Sequence, residues 1–205
     1  MKLLDYKKTS FLKSYVNISD IDIQYGIEIA FIGYSNSGKS TVINTLTKQK
    51  KISRSSKTPG RTQLINFFEI VPNFRIVDLP GYGYANAPLL IREKWQKNTY
   101  DYLKKRNQIK GFVFLMDIRY PFKKLDYIII DIAKKRNTSI LVLLNKCDKL
   151  KKYQQKIQFN KAFKELQFLL NSFEIELFSS FKKIGIKKLK FQLNNWYNQY
   201  TILNN

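Results

Sequence analysis

Histidine is absent from the 205 residues, which removes Ser/His and Cys/His catalysis, His-ligated zinc and any imidazole pH switch. Chemistry is left to carboxylates, lysines, backbone amides or a hard metal ion. Cysteine occurs once, at Cys147, so an intramolecular disulfide is excluded and no disulfide partner is expected. Long apolar runs are missing too: the longest, such as 140–144, are about a quarter of the ~20 residues that a bilayer-spanning helix needs. The first ten residues, MKLLDYKKTS, carry charges where a secretory leader would be apolar. The expectation is a cytoplasmic protein with no membrane partner.

Acidic residues are scarce, 15 against 37 Lys and Arg, for a net charge of +22. Two origins fit. An AT-biased coding sequence enriches Lys, Asn and Ile without selection for binding, whereas a basic surface favours non-specific contact with nucleic acid. What is plentiful is apolar: 44% hydrophobic and 15% aromatic residues exceed what a disordered chain carries, and the length suits one domain with its own core.

Periodicity places a short apolar strand at 27–32, a Gly/Ser/Asn loop, and a helix over 40–47. Residues 63–70 and 74–78 read as a hairpin turning at Pro72-Asn73. A Gly81-Tyr82-Gly83 turn leads past Pro88 into a helix ending near Lys105. The runs 111–117 and 139–145 are continuously apolar, as in strands buried on both faces. Helices over 123–135, 155–170 and 186–199, with a strand at 174–178, complete an alternating α/β order. The expected architecture is three layers around a mostly parallel six-stranded sheet with one antiparallel strand. Residues 1–26, without clear period, read as an N-terminal extension, and 27–205 as the domain proper.

Three loops carry the chemistry. Gly33-Tyr34-Ser35-Asn36-Ser37-Gly38-Lys39-Ser40 fits G-x-x-x-x-G-K-[ST] and falls between a strand and a helix that continues with Thr41. Glycines let the backbone wrap an anion, amides and the helix N-terminus point at phosphates, Lys39 neutralises their oxygens, and the Ser40 hydroxyl can ligate Mg2+. Asp78-Leu79-Pro80-Gly81 ends a strand parallel to the first; Asp78 can hold the metal through water, and the Gly81 amide can reach a γ-phosphate. Asn145-Lys146-Cys147-Asp148 chooses the base, because the Asp148 carboxylate accepts from guanine N1-H and its amine, which adenine cannot offer. Asn145 can tie this loop to the phosphate loop, the Lys146 stem can lie over the purine, and a backbone amide of Phe178-Ser179-Ser180 can bond guanine O6. Loops at the C-terminal ends of neighbouring strands are where open α/β sheets bind ligands.

With those residues in hand the chain resembles the EngB (YihA/YsxC) family of ribosome-biogenesis GTP-binding proteins, related to Era and TrmE. The likeness runs from about residue 28 to the C-terminus. It is most specific in SKTPGRTQLINFF (56–68) and DLPGYGYA (78–85). The family usually has Arg where Tyr34 stands and Val where Ser37 stands, and residues 1–26 keep mainly Phe11 and Ser14. The resemblance implies a Ras-like P-loop NTPase fold binding GTP and GDP with Mg2+. It implies a first switch at Gly60, Arg61, Thr62, Gln63 and Leu64, with Thr62 as the second protein ligand to the metal beside Ser40. It also implies a potassium ion at Asn36.

Ras-like enzymes place a glutamine after D-x-x-G to orient water, whereas Tyr82 stands here. Lys39, Thr62 and Gly81 are then the expected catalytic set, and intrinsic hydrolysis is expected to be slow. Resemblance implies a switch acting on the large ribosomal subunit precursor and its rRNA, and a link to cell division and septation. Two other readings stay open at this point: a P-loop small-molecule kinase, and a nucleotide-gated scaffold for division proteins.

Overall fold

The computed structural model describes residues 3–53, 64–83 and 89–202. Seven strands form one sheet: β1 (Ser10–Tyr15), β2 (Ile27–Gly33), β3 (Ile65–Val71), β4 (Phe74–Asp78), β5 (Ile109–Asp117), β6 (Ser139–Asn145) and β7 (Glu174–Leu177). Their order is β1-β3-β4-β2-β5-β6-β7. β3 pairs antiparallel with both neighbours and the remaining pairs are parallel, so β3 alone runs against the rest. Five helices pack on the sheet: α1 (Lys39–Thr47), α2 (Leu89–Lys105), α3 (Lys124–Arg136), α4 (Lys152–Leu169) and α5 (Ile186–Ile202).

Alternation along the buried strands decides which helix covers which face. Phe112, Phe114 and Met116 of β5, with Ile140, Val142 and Leu144 of β6, join the core beneath α2, α3 and α4, through residues such as Leu103, Ile130 and Leu166. Val113, Leu115, Leu141 and Leu143 point the other way. They meet Val42, Ile43 and Leu46 of α1 and Leu189, Leu193 and Trp196 of α5. From β2 the chain passes to β4 on one side and to β5 on the other, so the crevice at the C-terminal end of β2 is the topological switch point. Among the described residues no helix is long and apolar enough to cross a membrane.

The expected six strands become seven because the N-terminal segment joins the sheet edge. Ser10–Tyr15 pairs with β3, Ser14 Oγ donates to Asn66 Oδ1 at 2.6 Å, and the Tyr15 ring meets Phe67 edge-on at 5.4 Å. Ahead of the strand, Tyr6 is buried and donates from its hydroxyl to Asn194 Oδ1 of α5 at 2.9 Å. An edge strand exposed along most of its length needs no apolar alternation, which is why no period announced it.

Candidate functional site

The phosphate loop starts where β2 ends. Asn36 and Gly38 take positive φ, 63° and 95°, and only glycine suits position 38, because a Cβ there would lie 2.5 Å from Asn145 Nδ2. The loop opens directly into α1, whose first amides, from Lys39 to Thr41, have no carbonyl four residues back inside the helix. They are free to face an anion, with the helix dipole behind them. The Lys39 side chain is buried and its Nζ donates to the Gly33 carbonyl at 3.3 Å. Burial pushes the Lys39 ammonium down and the Asp78 carboxyl up, each opposed by the other's charge.

Asp78 ends β4 beside Phe31 of β2. Its Oδ2 accepts from Ser53 Oγ at 2.7 Å and lies 3.5 Å from Ser40 Oγ, while its Oδ1 is buried without a partner among the described residues. Leu79 continues the strand with its N–H on the Phe31 carbonyl, and Pro80 is buried beside it. Gly81 then crosses the phosphate loop so closely that a Cβ would be 3.0 Å from Ser35 Cα and 3.1 Å from Lys39 Nζ. Ser35 N–H donates to the Tyr82 carbonyl at 2.7 Å. The Tyr82 hydroxyl is engaged by Asp126, donating to its Oδ1 at 2.7 Å. Burial, reinforced by Asp126, raises its pKa well above the usual phenol value.

The third loop reaches the first across 108 positions: Asn145 Nδ2 donates to the Ser37 carbonyl at 2.6 Å. Its Oδ1 accepts the Lys146 N–H at 2.8 Å, and Lys146 Nζ donates to the Asn36 carbonyl at 2.7 Å. Asp148 is oriented by Ser179, whose Oγ donates to Asp148 Oδ1 at 2.5 Å. The neighbouring loop is fixed by Phe178 N–H on the Leu144 carbonyl and Cys147 N–H on the Phe178 carbonyl. Cys147 and Phe178 are buried and serve as packing. A cavity of about 260 Å³ opens between these loops, lined by Gly38, Thr41, Asn145, Lys146, Asp148, Lys149, Ser180 and Phe181. Ser35 Oγ and Ser180 Oγ are, like Asp78 Oδ1, buried without partners among the described residues. Ser37 Oγ is a fourth such atom on these loops, where a polar ligand would satisfy them, while Arg75 Nε and Arg136 Nε lie elsewhere.

Residues 28–146 match the family described as 50S ribosome-binding GTPase. The probable GTP-binding protein EngB of Buchnera aphidicola subsp. Acyrthosiphon pisum (strain Tuc7) is 69% identical over 204 residues, covering 100% of both chains. The chain belongs to the EngB family of GTP-binding proteins. The EngB relative from Salmonella paratyphi B is 47% identical over 97% of this chain and 95% of its own. A crystal structure of a probable GTP-binding protein engB superposes with a TM-score of 0.68, at 23% identity, covering 84% of this chain and 99% of that one. The P-loop GTPase fold implied by the resemblance is the fold found, and the kinase reading falls with membership of EngB.

Within this EngB chain the structure brings together residues from Gly33 to Thr41, Asp78 to Gly81, Asn145 to Asp148 and Phe178 to Ser180. Leu64 sits half-buried directly before β3. Gly60, Arg61, Thr62 and Gln63 lie outside the described residues. Two participants carried no sequence signal that was read: Ser53 on Asp78, and Asp117, which salt-bridges Lys146 Nζ at 3.1 Å. Asp117 was findable, since it ends a buried apolar strand as Asp78 does. Ser53 was not, because nothing in its neighbours marks it.

Proposed function

We propose that this EngB protein is a slow, Mg2+-dependent GTPase that switches its affinity for the precursor of the large ribosomal subunit. The guanine preference rests on one arrangement, the Asp148 carboxylate, held by Ser179, lining the same cavity as Gly38 of the phosphate loop. A carboxylate there satisfies both donors of guanine and leaves adenine's edge mismatched.

The residues present suit a hard, oxygen-liganded cation: the Ser40 hydroxyl would ligate it, and Asp78 Oδ1, without a partner among the described residues, would accept from its water. When bound, the ion supplies positive charge to the β- and γ-phosphate oxygens. Lys39 adds a second, buried positive charge on the same side. Amides from the phosphate loop and the Gly81 amide orient the triphosphate. No side-chain base faces this crevice from position 82, since the Tyr82 hydroxyl is engaged with Asp126 and stays protonated. That supports slow turnover until a partner supplies what is missing.

Titration of the full chain with guanosine, xanthosine and adenosine triphosphates, followed by single-turnover hydrolysis, tests the reading. Wild type should prefer GTP over ATP by at least about a hundredfold. Asp148→Asn should transfer that preference to XTP, whose extra carbonyl needs a donor. Equal binding of GTP and ATP by wild type, or no gain for XTP in the variant, would falsify the assignment.

The family description, 50S ribosome-binding GTPase, and the net charge of +22 both support reading a ribosomal particle as the partner. A role in division and septation has only the family resemblance behind it. Cytoplasmic location fits a partner that is itself a ribosomal particle.

A further inference from the structure

Ser53 is the last described residue before 54–63, and its side chain turns into the molecule. It is 2% exposed. Its hydroxyl donates to Asp78 Oδ2 at 2.7 Å. The backbone of Ser53 is clamped on both sides by one side chain: Asn44 Nδ2 donates to the Ser53 carbonyl at 2.8 Å, and Ser53 N–H donates to Asn44 Oδ1 at 2.9 Å. Asn44 lies one turn after Ser40 on α1. The helix that contributes the Ser40 hydroxyl therefore also sets the place of Ser53. On the far flank of 54–63, Asn66 is the register partner of Asp78 in the β3–β4 ladder. Both described flanks of that segment therefore meet at Asp78, the first through its carboxylate and the second through the backbone ladder.

A carboxylate with one oxygen held cannot swing freely about its terminal bond. With Oδ2 engaged by Ser53, Asp78 keeps Oδ1 in its present direction, buried and without a partner among the described residues. Such an oxygen is costly until a donor reaches it, and a metal-bound water is a donor of the right kind. Partners that orient metal-site carboxylates from behind contribute to metal affinity without touching the ion.

We propose that Ser53 is a positioning residue for the divalent cation, acting through Asp78, with Asn44 of α1 setting the place of its backbone. This rests on the reading of Ser40 and Asp78 as the Mg2+ site, and the experiment separates the two. The full chain is loaded with a fluorescent GDP analogue, and its release is followed against Mg2+ concentration. In wild type, Mg2+ should slow release. In Ser53→Ala the Mg2+ concentration for half the effect should rise about tenfold, with release in EDTA unchanged. Asn44→Ala frees the Ser53 backbone but spares its hydroxyl, and should shift the midpoint the same way by a smaller factor. An unchanged or lowered midpoint in Ser53→Ala, or release altered equally in EDTA and Mg2+, would overturn the proposal. Wild-type release indifferent to Mg2+ would instead overturn the metal-site reading.

Discussion

Asp117 shows how one residue can serve the site and the fold together. It accepts from Arg119 through Nε at 2.9 Å, Nη2 at 2.7 Å and the backbone N–H at 3.1 Å, and from Lys146 at 3.1 Å. Burial acts to raise its carboxyl, but these donors outweigh it and bring the pKa down to about 2 from 3.8. A depressed folded-state value means the unfolded chain binds the proton more tightly. The stabilisation is therefore complete above about pH 4 and disappears as pH falls towards 2. Because Arg119 is exposed and solvent screens the pair, its size is on the order of 1 kcal/mol. Urea unfolding of Asp117→Asn should show that loss at neutral pH and a flatter decline between pH 4 and 2; parallel curves for variant and wild type would contradict it. Because Lys146 also reaches the Asn36 carbonyl, the same substitution should loosen the phosphate loop.

Among elements, the most demanding junction joins β2 to the end of α2. Glu28 of β2 is fully buried, and Arg106, just past α2, meets it through Nη2 at 2.6 Å and Nε at 3.0 Å. Tyr102 donates to the same carboxylate at 2.6 Å. A buried ion pair adds little net stability over apolar packing, but breaking one side of it is expensive. Arg106→Met should lose about 3–5 kcal/mol in urea unfolding, and Glu28→Met with Arg106→Met, made in a Tyr102→Phe background so that no buried hydroxyl is stranded, should recover most of it. If the double variant is no more stable than the single one, the cost lies in packing and not in the stranded charge. The helix stops follow simpler rules. α1 and α3 end at Lys48 and Asn137, both in the left-handed region with their N–H groups returned to the last turn.

For the whole molecule the decisive quantity is charge. Exposed lysines recur on α4, at Lys152, Lys156, Lys161 and Lys164, and around Lys182, Lys183 and Lys187. A surface of this sign binds polyanions with steep salt dependence, whatever its evolutionary origin. A nucleotide switch adds a second condition that charge alone cannot meet. Co-sedimentation with large-subunit precursor particles should be stronger with a non-hydrolysable GTP analogue than with GDP, and should fall severalfold when salt is doubled. Salt-sensitive pelleting that ignores the nucleotide would leave only non-specific RNA affinity, and would sink the ribosomal switch.

Read from its residues, the chain disclosed the three loops that meet at the strand ends, the strands 27–32, 74–78, 111–117 and 139–145, and the α/β alternation, because these depend on local patterns. Glycines mark backbone that must turn or be approached closely, and apolar runs mark strands covered on both faces. The tertiary structure alone decided that residues 10–15 pair with β3, that Asn145 bonds Ser37 across 108 positions, and that Ser53 holds Asp78 while Tyr82 turns to Asp126. Those outcomes depend on where distant segments dock and which way a side chain is packed, and a polar residue in a loop carries no periodicity from which either can be read.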